Sequence, residues 1–365
     1  MRLFTEGQAL RGTYEVERLL GEGAFGEVYR VKHRFLGRQA MKIFKAARMD
    51  TAEVEELLVE AVLLSRLGHP NIIRVFDAGV IETSGGVLGY FTMEYVAGGS
   101  LYDFWRSHGN KFVPVPTVVE IARQICRGLA VAHGEDPPIV HRDVKPQNIL
   151  VGYDGTGIRV RLSDFGLAKH VNPLTLLASG RGTPAFKPPE VFLNAGSDSC
   201  SADVWSLGAT IYLLLTDRLP FEAENESLSL ERFDRPLIPP HVFNVDVDGG
   251  LEKIVLRSLA LRPEERHADA RALLADLERW EPPQVASPAA KKDIGVSPTR
   301  DKLGPDSVAF EEEAERNVRE ALTLAKEFGS LPDAADLLER AFALKPGLRQ
   351  RYEYQLQLWR RGVAM

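Results

Sequence analysis

A chain of 365 residues, 44% hydrophobic and 26% charged, has the composition of an ordinary folded protein and is long enough for two structural units. Its formal net charge of -6 gives no general attraction to nucleic acid or to an anionic membrane, so we expect no nucleic-acid partner. The two cysteines, Cys126 and Cys200, form no C-x-x-C pair, which argues against a zinc site and against a disulfide-stapled secreted fold.

The N-terminal stretch "MRLFTEGQALRGTYEV" has neither the apolar core nor the small-residue cleavage site of a signal peptide. The longest apolar run, Leu207–Leu215, is too short to cross a bilayer and predicts a buried helix. These patterns predict a cytoplasmic protein without a membrane segment.

The first part of the chain, from about Tyr14 to Met93, consists mostly of short strand-like patterns with one helical stretch at Thr51–Leu67. Helical patterns dominate from Ser100 to Trp280. This order predicts an α+β fold in which a small β-rich lobe precedes a larger α-helical lobe. The predicted first domain covers residues 1–280.

A change in composition follows this domain. Residues 281–307 are rich in proline, serine and charge, which is typical of a flexible linker. Residues 308–365 then show three short amphipathic patterns and predict a C-terminal helical appendage. The second pattern has Pro332 and Asp333 at its start and ends at Pro346, as helix boundary signals predict.

The stretch "GEGAFGEVYR" places Gly21, Gly23 and Gly26 in a G-x-G-x-x-G spacing. Such a motif can bind a dinucleotide at a helix start, cover ATP from a β-hairpin, or simply turn the chain. The residues after Gly26 favour a strand, and no acidic residue follows at the spacing of a dinucleotide-binding fold. The motif therefore predicts a β-hairpin tip, with Lys42 on the next strand.

Two acidic motifs lie downstream, "HRDVKPQN" with Asp143 and "SDFG" with Asp164. Two strand-like stretches joined by a Gly-rich turn separate them. With the glycine loop and Lys42, these motifs occur in the order found in eukaryotic-type Ser/Thr protein kinases, which bacteria also contain. The chain resembles this family from about Tyr14 to Trp280, and the resemblance implies a two-lobed kinase fold.

The resemblance implies a role for each matched catalytic residue. Asp143 would accept or orient the proton of a substrate hydroxyl, and Lys145 would neutralise the γ-phosphate of ATP. Lys42 would hold the α- and β-phosphates and pair with Glu60, which stands nine residues before "HPN". The remaining implied residues are Asn148 and Asp164 as ligands of Mg²⁺, with Mn²⁺ as an alternative, and Thr183 as a hydroxyl bridging Asp143 and Lys145.

The resemblance also implies an ATP site. Glycines without a Cβ let backbone N–H groups approach phosphate oxygens. Taken alone, the apolar residues of such a site are ordinary core residues. The implied nucleotide-binding residues are the loop Gly21, Glu22, Gly23, Ala24, Phe25 and Gly26, the pocket roof Val28 and Ala40, the hinge residues Met93, Glu94 and Val96, and the floor Leu150.

The segment that ends in "GTPAFKPPE" departs from the family pattern at Phe186 and Pro188, where tyrosine and alanine are usual. Its glutamate, Glu190, is expected to pair with Arg266, and Asp203 is expected to hold the catalytic-loop backbone. Arg142, directly before Asp143, would need an anionic partner. Phosphorylation of Ser179, with Thr175 as a second site, would supply one; alternatively, both are ordinary loop hydroxyls.

The C-terminal pattern "DAADLLERAFALKP" resembles the second helix of a tetratricopeptide repeat. The match covers barely one repeat, and such repeats bury their core only by stacking. The tail would therefore dock on the kinase, bind a protein partner, or form a small three-helix bundle.

An ATP- and Mg²⁺-dependent kinase acting on protein substrates is the leading prediction. A catalytically dead scaffold would require loss of Lys42, Asp143 or Asp164, and all three are present. A small-molecule phosphotransferase of similar fold would generally lack the glycine loop combined with "PPE" and its arginine.

Overall fold

In a computed structural model, the N-terminal part of the chain forms a six-stranded antiparallel sheet with the strand order β1-β2-β3-β4-β6-β5. Its strands are β1 (Ala9–Leu10), β2 (Tyr14–Glu22), β3 (Gly26–His33), β4 (Gly37–Phe44), β5 (Val75–Thr83) and β6 (Gly86–Glu94). Alternate residues such as Val31, Met41 and Ile43 form its buried core. The glycine motif joins β2 to β3, so the predicted hairpin is confirmed.

The structure describes most of the chain and divides it into two units. The described residues are 2–23, 26–44, 65–83, 86–109, 111–155, 157–165, 184–193, 199–221, 230–282, 306–325 and 331–360. The first unit comprises residues 1–96 and 163–182, and the second comprises residues 97–162 and 183–365. The predicted helix Thr51–Leu67 falls outside the described residues except at its last three positions, and the predicted linker is described only at its two ends.

The second unit is mainly helical. It contains α1 (Leu101–Arg106), α2 (Val115–His133), α3 (Pro189–Leu193), α4 (Cys200–Thr216), α5 (Gly249–Ser258), α6 (Ala270–Arg279), α7 (Asp306–Leu324), α8 (Leu331–Leu344), α9 (Arg349–Arg360) and the antiparallel hairpin β7 (Ile149–Asp154) and β8 (Gly157–Leu162). A sheet-rich unit and a helix-rich unit confirm the predicted α+β class. No helix in the described ranges is both long enough and apolar enough to cross a membrane.

Side-chain caps fix where several of these helices begin. Ser100 forms a capping box at α1, and Ser199 accepts a hydrogen bond from the N–H of Ala202 at the start of α4. Asp248 and Asp269 do the same for α5 and α6. The apolar run Leu207–Leu215 lies entirely inside α4, and every residue of it is buried, as predicted. This helix is therefore the centre of the helical unit.

Gly26 is required by close packing between β3 and β4. It pairs with Phe44 in the register of the two strands, and a Cβ at this position would overlap the carbonyl oxygen of Ile43. A Cβ at Gly21 or Gly23 would meet no described atom within 4 Å. The third glycine of the motif therefore has a packing role within the sheet, whereas the first two leave space open beside the loop.

A Gly26→Ala substitution is expected to destabilise the β3–β4 pair by about 1–3 kcal/mol, because overpacking forces the backbone of β4 to move. Hydrogen exchange of peptides from β3 and β4 would measure this as faster exchange. Gly21→Ala is the matched control from the same loop and should leave this exchange unchanged. Equal exchange in the two variants would contradict the packing role of Gly26.

The C-terminal helices α7, α8 and α9 pack around one apolar cluster. Its buried members are Val318, Ala321, Ala334, Ala335, Leu338, Ala341, Phe342, Leu356 and Trp359. Small residues on α8 allow close approach of its neighbours, and Phe342 fills the centre of the cluster. The three amphipathic patterns thus supply one shared core.

Tyr153 of β7 completes this apolar cluster from outside the tail. Its ring meets Phe342 edge to face, with 6.2 Å between the ring centroids. The guanidinium of Arg349 lies 4.8 Å from the centre of the Tyr153 ring, and its Nη2 donates a hydrogen bond of 3.1 Å to the carbonyl of Asp154. Helix α8 also contacts α1. Within the second unit, the tail therefore packs on β7 and α1.

Arg349→Ala is expected to lower the free energy of unfolding by about 1–2 kcal/mol, because a hydrogen bond and a cation–π contact to β7 are both lost. Urea unfolding followed by tryptophan fluorescence would measure it. The control is Arg351→Ala on the same helix, since Arg351 contacts the ring of its neighbour Tyr352. If both substitutions have the same effect, Arg349 does not fasten the tail to β7.

Candidate active site

Lys42 lies on β4 in the middle of the first unit's sheet, opposite Val28 on β3 and Phe91 on β6. Its side chain is 6% exposed, and its Nζ lies 2.6 Å from Oδ1 of Asp164. Asp164 has φ 59°, a left-handed conformation that aspartate adopts more readily than most residues. The lysine and the aspartate predicted from two distant motifs therefore form an ion pair.

The glycine loop of the first unit is a hairpin whose N–H of Gly23 donates a 2.8 Å hydrogen bond to the carbonyl of Gly26. Ala24 and Phe25, at its tip, lie outside the described residues. Of the predicted pocket residues of this unit, Ala40 and Met93 are buried, while Val28, Glu94 and Val96 are half-buried. The N–H of Glu94 donates to the carbonyl of Arg74 at 2.8 Å.

The second unit gathers Asp143, Lys145 and Asn148 on one loop. Nζ of Lys145 lies 2.6 Å from Oδ2 of Asp143. The amide nitrogen of Asn148 donates to the same oxygen at 2.8 Å and to the carbonyl of Asp143 at 2.9 Å. A short 3-10 helix, Pro146–Asn148, turns the chain so that these contacts form before β7 begins, which brings the half-buried Leu150 directly after the loop.

Asp203, in the first turn of α4, holds the backbone of this loop. Its carboxylate accepts hydrogen bonds from the N–H groups of His141 at 2.6 Å and Arg142 at 2.8 Å. His133 lies 3.0 Å away through Nε2, while its Nδ1 accepts from the N–H of Ala270, so Nε2 carries the proton. Burial raises the pKa of Asp203, but the hydrogen bond from His133 and those from the loop backbone outweigh it and lower the pKa below its usual value. The predicted role of Asp203 is confirmed.

These bonds also explain the backbone conformation of Arg142, whose φ of 69° is left-handed and strained for an arginine. The hydrogen bond from its N–H to Asp203 fixes the turn that leads into Asp143.

Besides Lys145, a second lysine contacts the carboxylate of Asp143, and this lysine lies outside the motif that contains Asp143. Nζ of Lys187 lies 3.3 Å from Oδ1 of Asp143 and also donates to the carbonyl of Arg142. Burial raises the pKa of Asp143, but the charges of Lys187 and Lys145 outweigh it and lower the pKa to about 2. The carboxylate is therefore ionised at neutral pH. The only sequence signal for Lys187 is a basic residue directly before "PPE".

Glu190 and Arg266 form the predicted pair. Two parallel hydrogen bonds join them, Nη1 to Oε1 at 2.7 Å and Nη2 to Oε2 at 2.8 Å. The arginine side chain is fully buried, lies 4.8 Å from the centre of the Trp205 ring, and donates to the carbonyls of Ala260, Ser201 and Leu261. The pair anchors α3 to the segment between α5 and α6.

Several predicted residues fall outside the described part of the chain, so their roles stay predictions. They are Glu60, Ala24, Phe25, Thr183, Thr175 and Ser179.

The protein kinase domain model matches residues 14–276, and the chain belongs to this family. The predicted family and two-lobed fold class are thereby confirmed. Members of the family use ATP and a divalent metal ion.

Bacterial serine/threonine-protein kinases are among the relatives of this chain. A probable serine/threonine-protein kinase of Clostridium acetobutylicum is 30% identical over 276 residues, covering 74% of this chain and 40% of the relative. The serine/threonine-protein kinase PknB of Mycolicibacterium smegmatis is 31% identical over 313 residues, covering 82% and 49%. The chain thus spans less than half the length of these relatives. The crystal structure of the Mycobacterium tuberculosis PknI kinase domain is similar with a TM-score of 0.56 and 28% identity, covering 75% of this chain and 98% of that domain.

Proposed function

We propose that the chain is an ATP-dependent protein kinase that transfers the γ-phosphate of ATP to serine and threonine hydroxyls of proteins. The observation that carries this proposal is Asp143, an ionised carboxylate bound by Lys145 and Asn148. Phosphoryl transfer needs positioning and charge stabilisation more than covalent chemistry. A carboxylate oriented by an amide and flanked by lysines meets that need.

Each unit supplies one part of the machinery. In the second unit, Asp143 orients the substrate hydroxyl and accepts its proton, while Lys145 neutralises charge on the phosphate being transferred. In the first unit, the buried ammonium of Lys42 binds phosphate oxygens, and the backbone of the glycine hairpin covers them.

Mg²⁺ is the proposed metal, with Mn²⁺ as an alternative, and Asp164 and Asn148 are its proposed protein ligands. A carboxylate and an amide carbonyl offer the oxygen donors that a hard cation prefers. Within the described ranges, no cluster of three or more histidine, cysteine or acidic side chains forms an all-protein metal cage. Two protein ligands, Asp164 and Asn148, leave the other coordination positions of the metal to phosphates and water. Such an ion would offset the negative charge of the triphosphate.

Autophosphorylation is part of the proposal. Ser179 and Thr175 are the proposed sites, and a phosphate there would supply an anion for Arg142. Protein substrates are the proposed partners, and the tail is a further candidate surface for a protein. The cytoplasmic location stays a prediction.

The test is incubation of the purified chain with labelled ATP and Mg²⁺, alone and with a generic protein substrate. We expect phosphoserine or phosphothreonine in the unmodified chain and a near-complete loss in Asp143→Asn. Absence of both products from the unmodified chain would overturn the proposal. In a parallel reaction with an added small alcohol, labelling of the alcohol and not of protein would favour a small-molecule phosphotransferase. ATP binding without any transfer would favour a scaffold.

A further inference from the structure

Lys187 is a half-buried basic residue for which the roles above leave no assignment. It lies between the 3-10 helix Pro184–Phe186 and α3. Its side chain is 21% exposed, and its ammonium contacts both Oδ1 of Asp143 and the carbonyl of Arg142. A solvated surface lysine would have neither contact, so the position of this ammonium is specific.

The two oxygens of Asp143 have different partners. Oδ2 is bound by Lys145 at 2.6 Å and by Asn148 at 2.8 Å, whereas Oδ1 faces Lys187 at 3.3 Å. A carboxylate held at only one oxygen can swing about its side-chain bonds, while contacts at both oxygens fix its plane. The ammonium of Lys187 therefore adds a contact on the Oδ1 side that restricts rotation of this carboxylate.

Lys187 also lies on a segment that is fixed on either side of it. Phe186 directly before it is buried, and Glu190 three residues later is held by Arg266. Its ammonium reaches from this segment to two consecutive residues of the catalytic loop. A shift of the segment is consequently transmitted to Asp143 through one side chain.

We propose that Lys187 is a positioning residue for phosphoryl transfer, tying residues 184–190 to the catalytic loop and orienting Oδ1 of Asp143 toward the substrate hydroxyl. The inference rests on the proposed function. In that function, Lys145 neutralises charge on the phosphate being transferred, while Lys187 stays in contact with the carboxylate of Asp143.

The first test compares Lys187→Met, Lys187→Arg and the control Lys253→Met, which removes an exposed lysine on α5. We expect Lys187→Met to lower kcat by ~10–100-fold, since a slightly misplaced catalytic group loses rate on this scale. The KM for ATP should change by less than ~2-fold, because nucleotide binding is untouched. Lys187→Arg should restore most of the loss, and Lys253→Met should match the unmodified chain.

A double-variant cycle separates positioning from general destabilisation. In the Asp143→Asn background, adding Lys187→Met should lower the residual rate by less than ~2-fold, because residues that act as a unit are not additive. A second loss as large as the first would overturn the proposal. An unchanged or increased kcat in Lys187→Met alone would also overturn the proposed positioning role. An increase would indicate that the ammonium of Lys187 blocks Oδ1 of Asp143.

A third measurement does not depend on catalysis. Labelling of Lys187 by an amine-acylating reagent, followed by mass spectrometry, should be faster in Asp143→Asn than in the unmodified chain, with Lys253 as the internal reference. Equal labelling would overturn the contact. Faster labelling in Asp143→Asn, combined with no phosphate transfer by the unmodified chain, would confirm the contact but overturn the proposed function. The role of Lys187 in transfer would then be overturned as well.

Discussion

An Asp143→Asn variant is expected to fold and bind ATP normally but to lose ~10²–10⁴-fold in kcat, the usual contribution of a positioned general base. Asparagine keeps the size of the side chain and can still accept a hydrogen bond from Asn148 or Lys145. It cannot take the proton of the substrate hydroxyl, and it leaves Lys145 and Lys187 without their shared anion. The loss should therefore appear in kcat with little change in the KM for ATP.

Asp246→Asn is the matched control, because it makes the same change at an exposed aspartate of the same unit. It should leave kcat unaltered. A rate for Asp143→Asn within ~3-fold of the unmodified chain would mean that Asp143 supplies no acid–base catalysis, since even a modest base contributes more than that.

Arg266→Ala is expected to lower the free energy of unfolding of the second unit by about 3–5 kcal/mol, the usual effect of removing one partner of a buried ion pair. The substitution leaves Glu190 without its bidentate partner and removes the donors to three backbone carbonyls. It also removes the cation over Trp205. Urea unfolding monitored by tryptophan fluorescence suits the measurement, because all four tryptophans, Trp105, Trp205, Trp280 and Trp359, lie in this unit.

Arg262→Ala provides the comparison, since its pair with Glu265 is 3.8 Å long and its side chain is 74% exposed. We expect at most about 1 kcal/mol from this exposed pair. If the two arginine variants unfold at the same urea concentration, the Glu190–Arg266 pair does not anchor the helical unit.

Local signals predicted much of the fold and of the site. The glycines with a β-branched run after them specify the β2–β3 hairpin, and the strand-like stretches after Asn148 give β7 and β8. Asp203 followed from the family motif, and its two loop contacts are present. In these cases the residues that interact belong to motifs whose order along the chain is informative.

Contacts made by residues outside these motifs could not be predicted from such signals. The amphipathic patterns of the tail indicate which face is apolar, but Tyr153 has no feature that distinguishes it from an ordinary strand residue. Lys187 likewise resembles a surface lysine until the fold places it beside Asp143. Periodicity encodes burial, and it carries no information on which partner covers a buried face.

The contact between the tail and β7 has a consequence for synthesis of the chain. The hydrogen bond from Arg349 to Asp154 spans 195 residues, so the ring of Tyr153 leaves the ribosome long before Phe342 or Arg349 exists. At typical elongation rates the delay is about 10–40 s. During that interval the nascent helical unit exposes an aromatic strand face that a chaperone can bind, and its last folding step waits for translation of α8 and α9.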